Sequence, residues 1–197
     1  TILILNGKVI NENQILEQDI FVKDGKINKL DNDLSSLSAD IVIDASGKYV
    51  MPGMIDDQVH FREPGNLNKG SIKSEATAAV VGGVTSFFDM PNNNPPIVKN
   101  SQMDQKFSIA EQSSICNYAF YLGATNDNVE EIKNLRKDAC GVKIFMGAST
   151  GNMLVDNLKT LEEIFIHSPA LIATHCEDTP MINENLKKYQ EKYGEDI

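Results

Sequence analysis

From residue 52 onward the sequence alternates strand-like and helix-like segments at a near-constant spacing. No other feature restricts the fold as strongly. After Pro52-Gly53, the runs Met54–Phe61, Val84–Asp89, Ile115–Leu122, Gly141–Met146 and Ala170–His175 read as strands. Between them, Ser71–Val81, Ser101–Gln112 and Asp127–Lys137 read as helices, with apolar residues three and four apart, and Asp156 reads as the cap of a helix through Ile166. Gly82-Gly83 reads as a helix stop. Thr179 and Pro180 read as the N-cap and first residue of a last helix. Strands separated by helices imply a parallel α/β sheet with helical crossovers. Five units of about 29 residues would complete an open doubly wound sheet. Eight would need about 232 residues, near the ~250 of a closed (β/α)8 barrel, so five would be an incomplete one. Periodicity alone does not separate the two.

Residues 1–51 read differently. Ile2–Leu5, Val9-Ile10, Asp19–Val22, Lys26–Leu30, Asp40–Asp44 and Tyr49–Met51 are short β runs, and no helix pattern interrupts them. Asn6-Gly7 and Asp24-Gly25 are hairpin signals. So short a stretch makes a weak independent core. It is expected to be a small N-terminal β-sandwich segment, with residues 52–197 forming the α/β part.

Charge narrows the partners. Lys and Arg number 18 against 28 Asp and Glu, a formal net charge of −10. Such a surface repels phosphate backbones and anionic lipids, so neither nucleic acid nor a membrane is expected as a partner. A small anionic substrate would need locally placed Arg, Asn or metal. Cys116, Cys140 and Cys176 are widely spaced, outside any CxxC pattern, and read as free thiols of a reducing compartment. Thr1–Lys8 lacks the charge and apolar pattern of a secretory signal, and no apolar run reaches the ~20 residues of a membrane span. The cytoplasm is the expected location.

In parallel α/β folds, chemistry sits at the carboxyl ends of strands. The first such end reads Asp56-Asp57-Gln58-Val59-His60-Phe61-Arg62-Glu63-Pro64-Gly65, and the second Phe88-Asp89-Met90-Pro91-Asn92. The fifth reads Thr174-His175-Cys176-Glu177-Asp178. Gln58 and His60, two apart on a strand, point to one face. His167 sits at the end of a helix and reads as a solvated residue suited to the dipole. Lys143, inside Val142-Lys143-Ile144-Phe145, is the informative residue, because an ammonium is costly to bury without a partner. Three readings are open. It lies at an exposed end, it pairs with a buried carboxylate, or burial makes it a neutral amine that captures CO2 as a metal-bridging carbamate.

The run Pro52–Gly65 resembles the signature of dihydroorotases of the amidohydrolase superfamily. Gly82-Gly83-Val84-Thr85 and Asp89-Met90-Pro91-Asn92-Asn93-Asn94-Pro95-Pro96 are similar to that family's next stretch. Gly141–Met146 resembles its carbamylated-lysine strand, and Thr174–Asp178 its next metal-histidine strand. Arg62 with Glu63-Pro64-Gly65 resembles this branch more than the hydantoinases, whose first motif usually lacks the arginine.

The resemblance implies a (β/α)8 barrel preceded by a small β segment, with one or two zinc ions at the barrel mouth. His60 and His175 would each bind metal, and a carbamate on Lys143 would bridge. Arg62 and Asn92 would hold a substrate carboxylate. The implied reaction interconverts dihydroorotate and N-carbamoyl-aspartate in pyrimidine biosynthesis, with a homodimer as the associated assembly. Two departures stand out. Gln58 occupies a position where most members carry a second histidine, and amide oxygen is a poorer donor. The family's further metal histidine and its general-base aspartate would lie beyond residue 197, so the resemblance implies the N-terminal part of a longer chain, inactive alone. Three functions remain open: a zinc dihydroorotase, a catalytically impaired relative serving as a partner protein, and an allantoinase- or hydantoinase-type hydrolase. The loop Gly147–Gly151 reads as a plain βα connection.

Overall fold

The computed structural model describes residues 1–147 and 152–195, so most of the Gly147–Gly151 loop lies outside the described residues. The chain divides into two units, Thr1–Gly53 and Met54–Ile197.

The first unit is one mixed sheet. Strands β1 (Ile2–Asn11), β2 (Gln14–Lys23) and β3 (Lys26–Asp31) form an antiparallel meander. Strands β4 (Ile41–Asp44) and β5 (Tyr49–Val50) both run parallel to β1 on its free side. Asp24-Gly25 forms the expected hairpin turn, with φ of 52° and 73°. Asn6-Gly7 does not turn the chain. It is a bulge inside β1, where the register shifts between Ile4 and Gly7. The buried carboxylate of Asp19 explains it, accepting 2.8 Å hydrogen bonds from the Asn6 and Leu34 amides. The β1–β2 turn falls at Glu12-Asn13, both at positive φ, where no glycine marks it. All five strands of this unit join one sheet.

The second unit carries the alternation. Its strands are β6 (Met54–Val59), β7 (Val84–Asp89), β8 (Asn117–Gly123), β9 (Gly141–Phe145) and β10 (Ile172–His175). Its helices are α1 (Ile72–Val81), α2 (Asn100–Ser113), α3 (Val129–Lys133), α4 (Leu158–His167) and α5 (Thr179–Tyr193). All strand pairs are parallel, and their order in the sheet is their order in sequence. A doubly wound sheet reverses its order at a switch point; a barrel does not. Sequential order therefore selects the half-barrel.

Strand side chains alternate between two faces. Phe87, Phe120, Leu122, Val142 and Ile144 are fully buried against Ile72, Ala76, Met103, Ala110, Ile132 and Ile164 of the helix layer. The opposite face carries Gln58, His60, Tyr121, Lys143, Phe145 and His175. The main differences from the sequence reading are at helix ends. Asn157, not Asp156, caps α4, accepting from the Lys159 and Thr160 amides. Asp156 instead accepts from Asn126 Nδ2 at 2.9 Å. Asp178 caps α5, which moves Thr179 inside the helix. Helix α3 is half the expected length. His167 ends α4 and is exposed, as expected.

Phe87 joins β7 to its neighbours. It is fully buried, and its ring lies 4.4 Å from Phe61 and 6.3 Å from Tyr118. Phe87→Ala is expected to cost about 3–5 kcal/mol of unfolding free energy, measured by urea denaturation. A cost below about 1 kcal/mol would contradict this packing.

Candidate active site

Lys143 lies in the middle of β9, level with Gly123 on β8 and Ala173 on β10. Its residue exposure is 4%. No carboxylate among the described residues lies within ion-pair distance of it. Burial holds its ammonium below the usual lysine value, opposed only by the nearby Cys176. Lys143 is therefore not at an exposed strand end and has no carboxylate partner among the described residues. The Nζ sits 5.0 Å from the centre of the Phe145 ring, and that ring stacks at 5.9 Å on His175. Lys143 and His175 thus share one neighbourhood, on the face away from the helices.

His60 follows β6 at the other edge of the sheet. Its Nδ1 lies 2.8 Å from Asn92 Oδ1. With the amide oxygen as acceptor, the ring proton is on Nδ1 and the Nε2 lone pair is free. The sequence gives no sign of this partnership and assigns Asn92 to a substrate. Its Nδ2 donates to nothing among the described residues and is available for that role. Arg62 is half-buried, at φ 72°, and its guanidinium also makes no hydrogen bond among the described residues. Gln58 is exposed on the His60 face, and its side chain donates no hydrogen bond among the described residues. His175 Nε2 lies 3.0 Å from Glu177 Oε1.

The loops after β6 and β7 are pressed together. Asn94 N–H donates to the Pro64 carbonyl at 3.4 Å. Gly65 has φ 108°, and a Cβ there would lie 2.0 Å from the Asn94 carbonyl oxygen. Only glycine fits that backbone and that approach.

Sequence reasoning missed Lys106. It lies on the buried face of α2, three residues after Met103 and four before Ala110. That helical spacing was the signal available. Its Nζ is 2.8 Å from Asp89 Oδ2, an ion pair with both side chains at most 1% exposed. Burial pushes the Asp89 carboxyl up and the Lys106 ammonium down, and each partner opposes the other's shift.

Could these residues hold a metal? Among the described residues no group of three or more His, Cys, Asp or Glu is arranged to bind one. The donors present are two imidazoles and a buried amine on one face. They fit a part of a metal site, not a whole one.

A model of the amidohydrolase family matches residues 49–194. The chain belongs to the amidohydrolase family. Among curated relatives it is similar to a dihydroorotase of Pyrococcus furiosus, 36% identical over 192 residues, covering 96% of this chain and 42% of that one. It is also similar to an L-hydantoinase of Paenarthrobacter aurescens, 32% identical over 203 residues, covering 100% of this chain and 44% of that one. Among solved structures it resembles L-hydantoinase (dihydropyrimidinase) from Arthrobacter aurescens, with TM-score 0.89 and 31% identity, covering 99% and 45% of the two chains. The chain thus spans under half the length of the relatives it matches.

Two outcomes test this geometry. Gly65→Ala is expected to lower the melting temperature and to raise KM about tenfold, because both loops must shift; unchanged values would contradict the close approach. Thiol titration tests the burial pattern. Cys116 is buried, and burial pushes the Cys140 thiol up to about 12, leaving a thiolate fraction near ~10⁻⁴ at pH 8. Cys176 is exposed. Of the three cysteines in this chain, only Cys176 is expected to react rapidly with a disulfide reagent in the native protein, and Cys116 and Cys140 only after denaturation. Rapid labelling of Cys140 in the native state would refute its placement.

Proposed function

We propose that the protein carrying this chain is a metal-dependent cyclic-amide hydrolase, and specifically a zinc dihydroorotase acting on dihydroorotate and N-carbamoyl-aspartate. One observation carries the reading: an amine buried without a carboxylate partner among the described residues, on the same sheet face as His60 and His175. A neutral buried amine is the form that reacts with CO2, and a carbamate needs cations to persist. His60, carbamylated Lys143 and His175 would hold zinc, with the remaining donors supplied by sequence that the longer relatives have and this chain does not span. Bound zinc supplies Lewis acidity, polarising a carbonyl and lowering the pKa of water toward ~7.

This chain's own residues do the rest. Asn92, as acceptor from His60 Nδ1, fixes the His60 tautomer and leaves the Nε2 lone pair free. The Arg62 guanidinium and Asn92 Nδ2 receive the substrate carboxylate, placing local positive character inside an acidic protein. Phe145 and the apolar strand around Lys143 keep water from the amine. Gln58 offers only an amide oxygen, a poorer donor than imidazole, so this edge of the site would hold a metal more weakly.

A second reading, hydantoinase chemistry, is favoured by the TM-score of 0.89 to an L-hydantoinase. Arg62 favours the dihydroorotase reading, since a hydantoin ring carries no carboxylate for it to hold.

The decisive experiment offers the full-length protein dihydroorotate, hydantoins and allantoin, with and without chelator. Expected are hydrolysis of dihydroorotate, its loss on chelation, and its loss in Lys143→Ala. Arg62→Met should raise KM for dihydroorotate roughly 10- to 100-fold, the worth of a charge-assisted hydrogen bond. Preference for hydantoins would establish the second reading. Activity untouched by chelator would overturn both.

A further inference from the structure

The buried pair of Lys106 and Asp89 lies in the helix-covered layer, away from the face that carries His60, Lys143 and His175. Buried ion pairs are weak sources of stability, because desolvating two charges costs about as much as their attraction returns. Its surroundings suggest a different use. Lys106 Nζ donates to the Met90 carbonyl at 3.1 Å and to Asn93 Oδ1 at 2.9 Å, and it meets Asp89 Oδ2 at 2.8 Å. The ammonium thus makes two hydrogen bonds and one ion-pair contact, and Asp89 Oδ2 accepts no hydrogen bond among the described residues. Those partners bracket Asn92 on both sides. Asp89 Oδ1 accepts the Phe61 N–H at 3.0 Å, which ties down the residue following His60. The Met90 N–H donates to the Val59 carbonyl at 3.0 Å, which ties down the residue preceding it. One buried cation therefore fastens both strand ends whose side chains meet in the His60–Asn92 hydrogen bond.

We propose that Lys106 is a positioning residue: acting through Asp89, Met90 and Asn93, it sets the placement of His60 and Asn92 and so the productive pose of a carboxylate-bearing cyclic substrate. The catalytic part of this inference rests on the proposed function; the structural part does not. Lys106 touches no substrate. It acts only by holding two turns in register, and such registry is a documented use of buried polar groups.

The test uses the full-length protein, with K106M and the charge-neutral pair D89N/K106M, in which the amide oxygen introduced at position 89 can still accept from the Phe61 N–H. The neutral pair is expected to melt within about 5 °C of wild type. The first readout needs no activity. In chelated protein with 15N-labelled histidine, the His60 signal, assigned by its loss in H60Q, should show a protected proton on Nδ1. In the neutral pair that proton should be lost or redistributed to Nε2. The second readout is a double-mutant cycle with N92A. The neutral pair should lower kcat/KM about 10- to 100-fold when Asn92 is present, and no more than about threefold in N92A. A purely structural role gives losses that multiply. Multiplying losses, an unaltered His60 signal, or a neutral pair that does not fold would each overturn the proposal. A wild type that shows the protected proton, loses it in the neutral pair, and hydrolyses no cyclic amide would uphold the positioning and refute the proposed function.

Discussion

A strand in a parallel sheet must satisfy two environments at once, and β9 does so by strict alternation. Val142 and Ile144 point into a dry layer of helices and are fully buried. Lys143 and Phe145, on the alternate positions, point to the other side. Its neighbours level with Lys143 are the small residues Gly123 and Ala173. Every other functional side chain inherits its place from this division. Gln58 and His60 share the Lys143 face because they alternate with Val59 and Phe61, which pack on the helix side. Asp89 falls on the helix side by the same parity, and there it needs a cation.

Much of this was legible in the sequence because the period of a strand is short and strict. Val84–Asp89 matches β7 residue for residue, and β9 differs from its expected span only at Met146. Periodicity left the winding open, since five units fit either architecture; the motif resemblance pointed to the barrel, and the strand order agrees with it. Helix caps were misread by one residue where two adjacent polar residues competed. Asp156 was drawn away to Asn126, and Asn157 took the cap. Asn6-Gly7 misled because a local turn signal met a non-local demand from Asp19.

The site was legible at the level of residue types and not of pairings. Lys143 stood out because it interrupts an apolar strand, and His60 and His175 because they stand at the carboxyl ends of strands. The bond between His60 and Asn92 joins residues 32 apart and leaves no periodic trace. Lys106 shares the helical spacing of Met103 and Ala110, but a lysine on a helix ordinarily reads as solvated, so its place on the buried face went unread.

Gly65 has a wider consequence. With no side chain between it and the Asn94 carbonyl, the turns that come after β6 and β7 lie backbone against backbone. Neither turn can be lengthened or exchanged with its counterpart from another relative while the other stays fixed. Diversification at this rim would have to proceed by inheriting both turns together, as a single cassette.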